Sequence, residues 1–184
     1  MDNLNTSKMP NLTNPLHKRI GNSIKFSDSK IIKSIECGGN QNIPLFCSRE
    51  KGNDTEYCNV DLLILKNGKI KVIIEIEESG IIPTKICGKF LTSALSSYYI
   101  HESENNRLIE MDNSVTFIQI LDTSKLEEST SKKEQFTNIE KSIQNVIPIK
   151  GNKIDRYRLF FGDSSDFNNG KLNEIFNFIQ EVLK

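Results

Sequence analysis

No run of 18 or more apolar residues occurs in this 184-residue chain, which excludes a membrane-spanning helix. The opening stretch, MDNLNTSKMPNLTNPLHKRI, lacks the apolar core of a signal peptide, so a cytoplasmic location is expected. There is no Cys-x-x-Cys pair. Cys37, Cys47, Cys58 and Cys87 lie scattered, which predicts free, largely buried thiols in place of a zinc ribbon, a redox motif or a disulfide framework. Charge of neither sign is in excess: 24 basic residues balance 24 acidic ones. A protein that simply coats nucleic acid is usually basic, so that class is disfavoured, whereas an enzyme whose acidic centre offsets basic contacts escapes the argument. No repeat or low-complexity segment interrupts the chain, and its Ser, His and Cys residues suggest no nucleophilic triad.

What is present is enough chain for one domain with a real core, since this length buries about 70% of its unfolded surface. The rest is organised around Asn59 to Glu78, NVDLLILKNGKIKVIIEIEE, which reads as two apolar strands joined at Asn67-Gly68. Three carboxylates interrupt these strands: Asp61 in the first, Glu75 and Glu77 in the second. Alternation puts Glu75 and Glu77 on one face, with Ile73 below them. Unpaired buried carboxylates cost several kcal/mol each, roughly, and repel one another unless a cation neutralises them. Hard divalent ions such as Mg²⁺ use one or two carboxylates plus substrate phosphate, so these acids predict a metal site. A two-residue loop would place Asp61 opposite Ile74, on the wrong face. The expectation is therefore a three-residue loop, Lys66-Asn67-Gly68, with Gly68 left-handed and a bulge behind it, so that Asp61 faces Ile73 and lies diagonal to Glu75.

Asp61 followed a strand later by Glu75-Ile76-Glu77 resembles the metal-binding motif of the PD-(D/E)xK nuclease superfamily, whose fold is restriction-endonuclease-like. Val60 stands where Pro is common and Glu77 where Lys is usual; some type II restriction endonucleases carry Glu there. The resemblance extends in element order from about Asp28 to Ile120. It implies that Asp61, Glu75 and the Ile76 carbonyl hold Mg²⁺, and that Glu77 binds a second ion or accepts a proton from water. Positive charge at the transition state would then come from a second metal or from a nearby lysine.

Along the chain, residues 1–22 read as a loosely held arm and 23–184 as the α/β domain. Ser27-Asp28 caps a short helix with Ile31, Ile32 and Ile35 inward, ended by Gly38-Gly39 and carrying Glu36. A short strand is expected around Leu45-Phe46-Cys47, then a polar loop from Arg49 to Glu56. Pro83 opens a helix whose Ile86, Phe90, Leu91, Ala94, Leu95 and Tyr98 form one buried stripe, with Tyr98, Tyr99 and His101 finishing it. Lys85 and Lys89 stand one turn apart near its start. The resemblance implies that a helix here flanks the active site, so that either would reach phosphate or replace the motif lysine, with position favouring Lys85 for the catalytic role and Lys89 as a DNA contact. The other reading is two ordinary surface lysines. Val115 to Leu121 is a strand in which Gln119 either bonds towards the site or faces solvent. Phe136, Ile139, Ile143 and Val146 trace a helix ended by Pro148. Arg156 to Phe161 alternates as a strand, and Lys150, Lys153, Arg156 and Arg158 form the densest basic cluster, a candidate DNA backbone contact. Gly162 to Asn169 reads as a polar loop, and Leu172, Ile175, Phe176, Ile179 and Val182 or Leu183 face inward from a last helix.

The predicted fold is a single-domain mixed β-sheet flanked by α-helices. The implied activity is Mg²⁺-dependent hydrolysis of DNA phosphodiesters, as by a type II restriction endonuclease cutting a specific duplex sequence. A double-strand cut needs two sites, hence a homodimer. A cognate methyltransferase in the same system is left as an open partner. Three further readings stay open: a junction resolvase or DNA-repair nuclease on the same fold, a nuclease-like binding or assembly module without catalysis, and a purely structural domain with the acids at exposed strand ends.

Overall fold

The structure, a computed structural model, describes residues 15–126 and 131–184. Helix α1 (Leu16–Ser23) leads to β1 (Lys30–Lys33), β2 (Pro44–Phe46) and β3 (Glu56–Asn59). The hairpin β4 (Leu62–Lys66) and β5 (Lys69–Glu77) comes next, followed by α2 (Pro83–Ala94), β6 (Tyr98–Tyr99) and the long β7 (Ile109–Asp122). The chain closes with α3 (Lys132–Val146), β8 (Ile154–Gly162), the short α4 (Ser164–Asp166) and α5 (Leu172–Val182).

All eight strands form one mixed sheet in the order β1-β4-β5-β7-β6-β2-β3, with β8 also paired to β7. The β5–β7 and β7–β8 pairs are parallel. Parallel neighbours need a crossover connection, and α2 and α3 supply the two. Both helices cover one face, where Ile86, Phe90, Phe136 and Ile143 pack on Leu63, Ile73, Phe117 and Tyr157. The other face packs Leu62, Ile74, Ile118 and Phe160 against Leu16 and Ile20 of α1 and Ile175 and Ile179 of α5. A sheet covered on both sides explains why β4 and β5 are near-continuous Val, Ile and Leu. Among the described residues no helix is long and apolar enough to cross a membrane.

The hairpin reaches the expected juxtaposition by another route. Lys66 pairs with Lys69, so the loop is Asn67-Gly68 alone, with both residues at positive φ (53° and 76°). Asn tolerates that conformation, so no third loop residue is required. The irregularity lies inside the ladder instead: Leu65 pairs with Ile70 and Ile64 with Val72, which leaves Lys71 as the extra residue. Beyond it Leu62 pairs with Ile74, so Asp61, the next residue, aligns with Glu75 and not with Ile73.

Several local expectations are corrected. Residues 30–33 extend as β1 along β4 where a helix was expected, because the outer edge of buried β4 must find backbone partners; Ile35 is exposed. Leu16–Ser23, read as part of the arm, is helical and buries Leu16 and Ile20; residues 1–14 lie outside the described residues. The α2 stripe is narrower than expected, with Leu91 and Leu95 exposed, and Tyr98–Tyr99 leave the helix to pair with β2 and β7. On α3 the side chain of Val146 is exposed. Of residues 162–169, expected as a loop, Gly162 ends β8 and 164–168 are helical, begun by a capping box between Asp163 and Asp166. The four cysteines are free; Cys37 is buried but Cys87 is exposed.

Candidate active site

The acids collect at the carboxyl end of β5, where the parallel strands β5 and β7 leave the sheet and α2 begins. Crevices at the carboxyl ends of parallel strands are the usual ligand sites of open α/β sheets. Glu75 is fully buried, Glu77 is 5% exposed and Asp61 is 7% exposed. Two strand residues on one face lie about 6.6 Å apart, and two helix residues four apart rise about 6 Å, so Lys85 and Lys89 on α2 match the spacing of Glu77 and Glu75. Lys89 Nζ lies 2.7 Å from Glu75 Oε2 and 3.5 Å from Glu77 Oε1. Lys85 Nζ contacts Glu77 Oε2 and donates to the Ser79 carbonyl at 3.2 Å.

The position that sequence reasoning favoured thus belongs to the rim. Lys85 reaches only the outer acid, whereas Lys89 bridges both. Asp61 is held from the other side, its Oδ2 accepting the Ile76 backbone N–H at 2.7 Å.

Sequence reasoning missed His17. Its Nε2 lies 3.6 Å from Asp61 Oδ2 and 3.5 Å from Glu36 Oε2, its Nδ1 is 3.3 Å from Glu78 Oε2, and its backbone N–H donates to Glu78 Oε1. α1 reaches Asp61 because it docks closely on the loop after β1: a Cβ at Gly21 would lie 1.9 Å from the Cys37 carbonyl oxygen. No local signal marks His17, since its partners are distant in sequence. Glu36, expected on a helix, does join the cluster, though its side chain is 71% exposed.

The electrostatics follow from this crowding. Burial alone would lower the His17 pKa, yet the hydrogen bond to Asp61 and the charges of Asp61 and Glu78 outweigh it and raise it from 6.5 to about 9. Burial would raise Asp61, but bonds from His17 and Ile76 hold it below the usual carboxylate range. Glu75 is pushed well up, first by burial and then by the neighbouring Asp61 carboxylate, against the pull of Lys89. Burial would lower Lys89, but Glu75 and Glu77 raise it, so it stays charged.

Two donor sets therefore meet at Asp61. Asp61, Glu75 and Glu77 offer oxygen alone, the chemistry of a Mg²⁺ site. His17, Glu36 and Asp61, whose ligand atoms lie within 4.8 Å of one another, add an imidazole, which suits transition metals. The first set also shows unmet demand. Glu75 Oε1 and Glu77 Oε1 are buried and accept no hydrogen bond among the described residues. Buried acceptors are normally paired, and a cation would satisfy both.

Gln119 does face the site: it is fully buried on β7, in register with Glu75. The basic cluster is not brought there. Arg156 and Arg158 share the opposite face of the sheet with Ile118 and Phe160, in register with Thr116 and Ile118. Arg156 is about 16 Å down the strands from the level of Glu77, at five residues of strand rise. Arg158 is engaged by Glu140 at 3.4 Å and Glu174 at 3.9 Å, and Lys153 by the Met111 carbonyl and Asn113.

Comparison of the chain with protein-family models, with curated proteins and with solved structures finds no match in any of the three.

Proposed function

We propose that this protein is a Mg²⁺-dependent endonuclease that hydrolyses DNA phosphodiester bonds, a type II restriction endonuclease on a restriction-endonuclease-like sheet. The observation that carries the proposal is the convergence of Asp61, Glu75 and Glu77 with Lys89 at the carboxyl end of β5, with Glu75 Oε1 buried and unpaired and Glu77 Oε1 held only by the 3.5 Å ion pair to Lys89. In this reading Asp61, Glu75 and the Ile76 carbonyl would hold the cation, which when bound would supply Lewis-acid polarisation of the phosphodiester and lower the pKa of water.

The chain's own residues do the rest. Lys89 brings permanent positive charge to the acids, the role that the lysine of the usual motif plays. Glu77 accepts the proton of the attacking water, and Lys85 holds the Glu77 carboxylate in place from the rim. His17 orients Asp61. For the DNA backbone, three lysines gather on the segment that follows β5: Lys85 on the Ser79 carbonyl, Lys125 on the Glu78 carbonyl at 3.3 Å and Lys132 on the Ile81 carbonyl at 3.3 Å. They are better placed for a phosphate at the acids than Lys150, Lys153, Arg156 and Arg158. Cutting both strands calls for a homodimer.

The test is incubation of plasmid and phage DNA with Mg²⁺, with EDTA, and with Glu75→Ala. Discrete bands that need Mg²⁺ and vanish in the variant are expected. Cleavage confined to branched or damaged DNA would replace restriction by resolvase or repair activity. Absence of cleavage together with absence of metal binding would sink the enzyme reading.

A further inference from the structure

The Tyr157 hydroxyl donates to Gln119 Oε1 at 2.5 Å, in a setting where both side chains are buried. Burial holds the Tyr157 phenol protonated far above its ordinary range, so it is fixed as the donor. An amide whose oxygen is so claimed has its orientation settled, and its nitrogen must be the group left over. Gln119 Nε2 is indeed buried and without an acceptor among the described residues. β7 lies between β8, which carries Tyr157, and β5, which carries Glu75. Glu75 is the register partner of Gln119, and adjacent strands run only about 4.8 Å apart. Its Oε2 is taken by Lys89, while its Oε1 is buried and accepts nothing. A donor without an acceptor and an acceptor without a donor therefore stand on neighbouring positions of one face. Buried polar groups are normally paired, so both being unmet calls for an explanation.

The two atoms are not hydrogen-bonded to each other in the structure. We infer that Gln119 is a positioning residue for Glu75, in that Tyr157 orients the amide and a side-chain rotation on cation binding brings Nε2 to donate to Glu75 Oε1 and so aims that carboxylate at the cation. A carboxylate oxygen has two lone pairs, so Oε1 can accept from the amide with one and ligate with the other. Lys89 and Gln119 then grip the two oxygens of Glu75 from α2 and from β7. The inference rests on the reading of Glu75 as a cation ligand. Outer partners of this kind typically change metal affinity by about 10- to 100-fold when removed.

The experiment is calorimetric titration of Mn²⁺ into the full chain without DNA, for wild type, Gln119→Leu and Tyr157→Phe, with circular dichroism to check folding. Wild type binds, Gln119→Leu binds at least about tenfold more weakly, and Tyr157→Phe, which keeps the glutamine but frees its amide, falls between them. Tyr157→Phe removes one oxygen from an interior site, so it also decides the matter should Gln119→Leu fail to fold. Wild-type affinity in the folded variants would overturn the positioning role and leave the metal site standing. Failure of wild type itself to bind Mn²⁺ would overturn the metal reading and this inference with it.

Discussion

Asp61 Oδ2 accepts the backbone N–H of Ile76 at 2.7 Å, and that bond locks the entrance of one strand onto the exit of its neighbour. It exists because Lys71 is extra in the ladder. Without that shift Asp61 would align with Ile74, whose side chain packs on the α1 and α5 face, away from Lys89. One residue in a bulge thus decides whether three acids form a cluster or two clusters face apart.

The raised pKa of His17 makes stability depend on pH with a definite sign. The folded protein holds the His17 proton more tightly than the unfolded chain, so the stabilisation is complete below pH 6.5 and lost as pH rises through about 9. The loss expected for wild type is on the order of 2–3 kcal/mol. His17→Gln should flatten the profile over that window. Urea unfolding at pH 6, 7.5 and 9 measures it, and a variant profile as steep as that of wild type would refute the assignment. Asp61, held low, acts at the other end: its contribution is present above the ordinary carboxylate pKa and lost in acid.

Lys89 and Lys85 should differ sharply. Lys89→Met strands the buried Glu75, and we expect a fall in DNA cleavage of about 10²–10³-fold. Lys85→Met should cost about tenfold, since Lys85 touches only Glu77, from the rim. Initial rates of plasmid nicking at saturating Mg²⁺ compare the two. The reverse ranking would return the motif-lysine role to Lys85.

DNA binding should lose salt sensitivity when the right lysines are removed. Each phosphate contact contributes about 0.9 to the slope of log affinity against log salt concentration. Lys125→Ala and Lys132→Ala should each lower that slope by roughly 0.9 in EDTA, while Lys150→Ala and Lys153→Ala leave it unchanged. Fluorescence anisotropy on a duplex oligonucleotide at several salt concentrations reads it. A drop seen only with the second pair would place the duplex on the far end of β8.

The aromatic packing beneath the site sets its rigidity. Phe90 of α2 meets the rings of Phe117 and Tyr157 edge-on, at 5.7 and 5.5 Å. Phe90→Ala should cost about 3–5 kcal/mol and lower the melting temperature by roughly 10 °C. Differential scanning calorimetry gives the value, and a loss under 1 kcal/mol would mean that α2 is not anchored by this ring.

Much of this was legible in the sequence where a local signal was strong. Asn67-Gly68 marks its turn, Pro83 its helix start, and the alternation of Glu75 and Glu77 their shared face. Short segments were not legible. Ile31-Ile32 fits helix and strand equally well, and only the open edge of β4 makes it a strand. Tyr98–Tyr99 continues the helical apolar spacing but is claimed by β2 and β7.

The sequence by itself determined that three carboxylates would interrupt buried strands, that two lysines would lie one turn apart on the next helix, and that a mixed sheet would carry them. These follow from periodicity, which acts over a few residues. Tertiary structure alone decided the position of the bulge, the inner place of Lys89, the arrival of His17 at Asp61 and the separation of the 150–158 cations from the acids. Each of those depends on how elements dock across tens of residues, where close approach and the pairing of buried polar groups choose among arrangements that local sequence leaves equal.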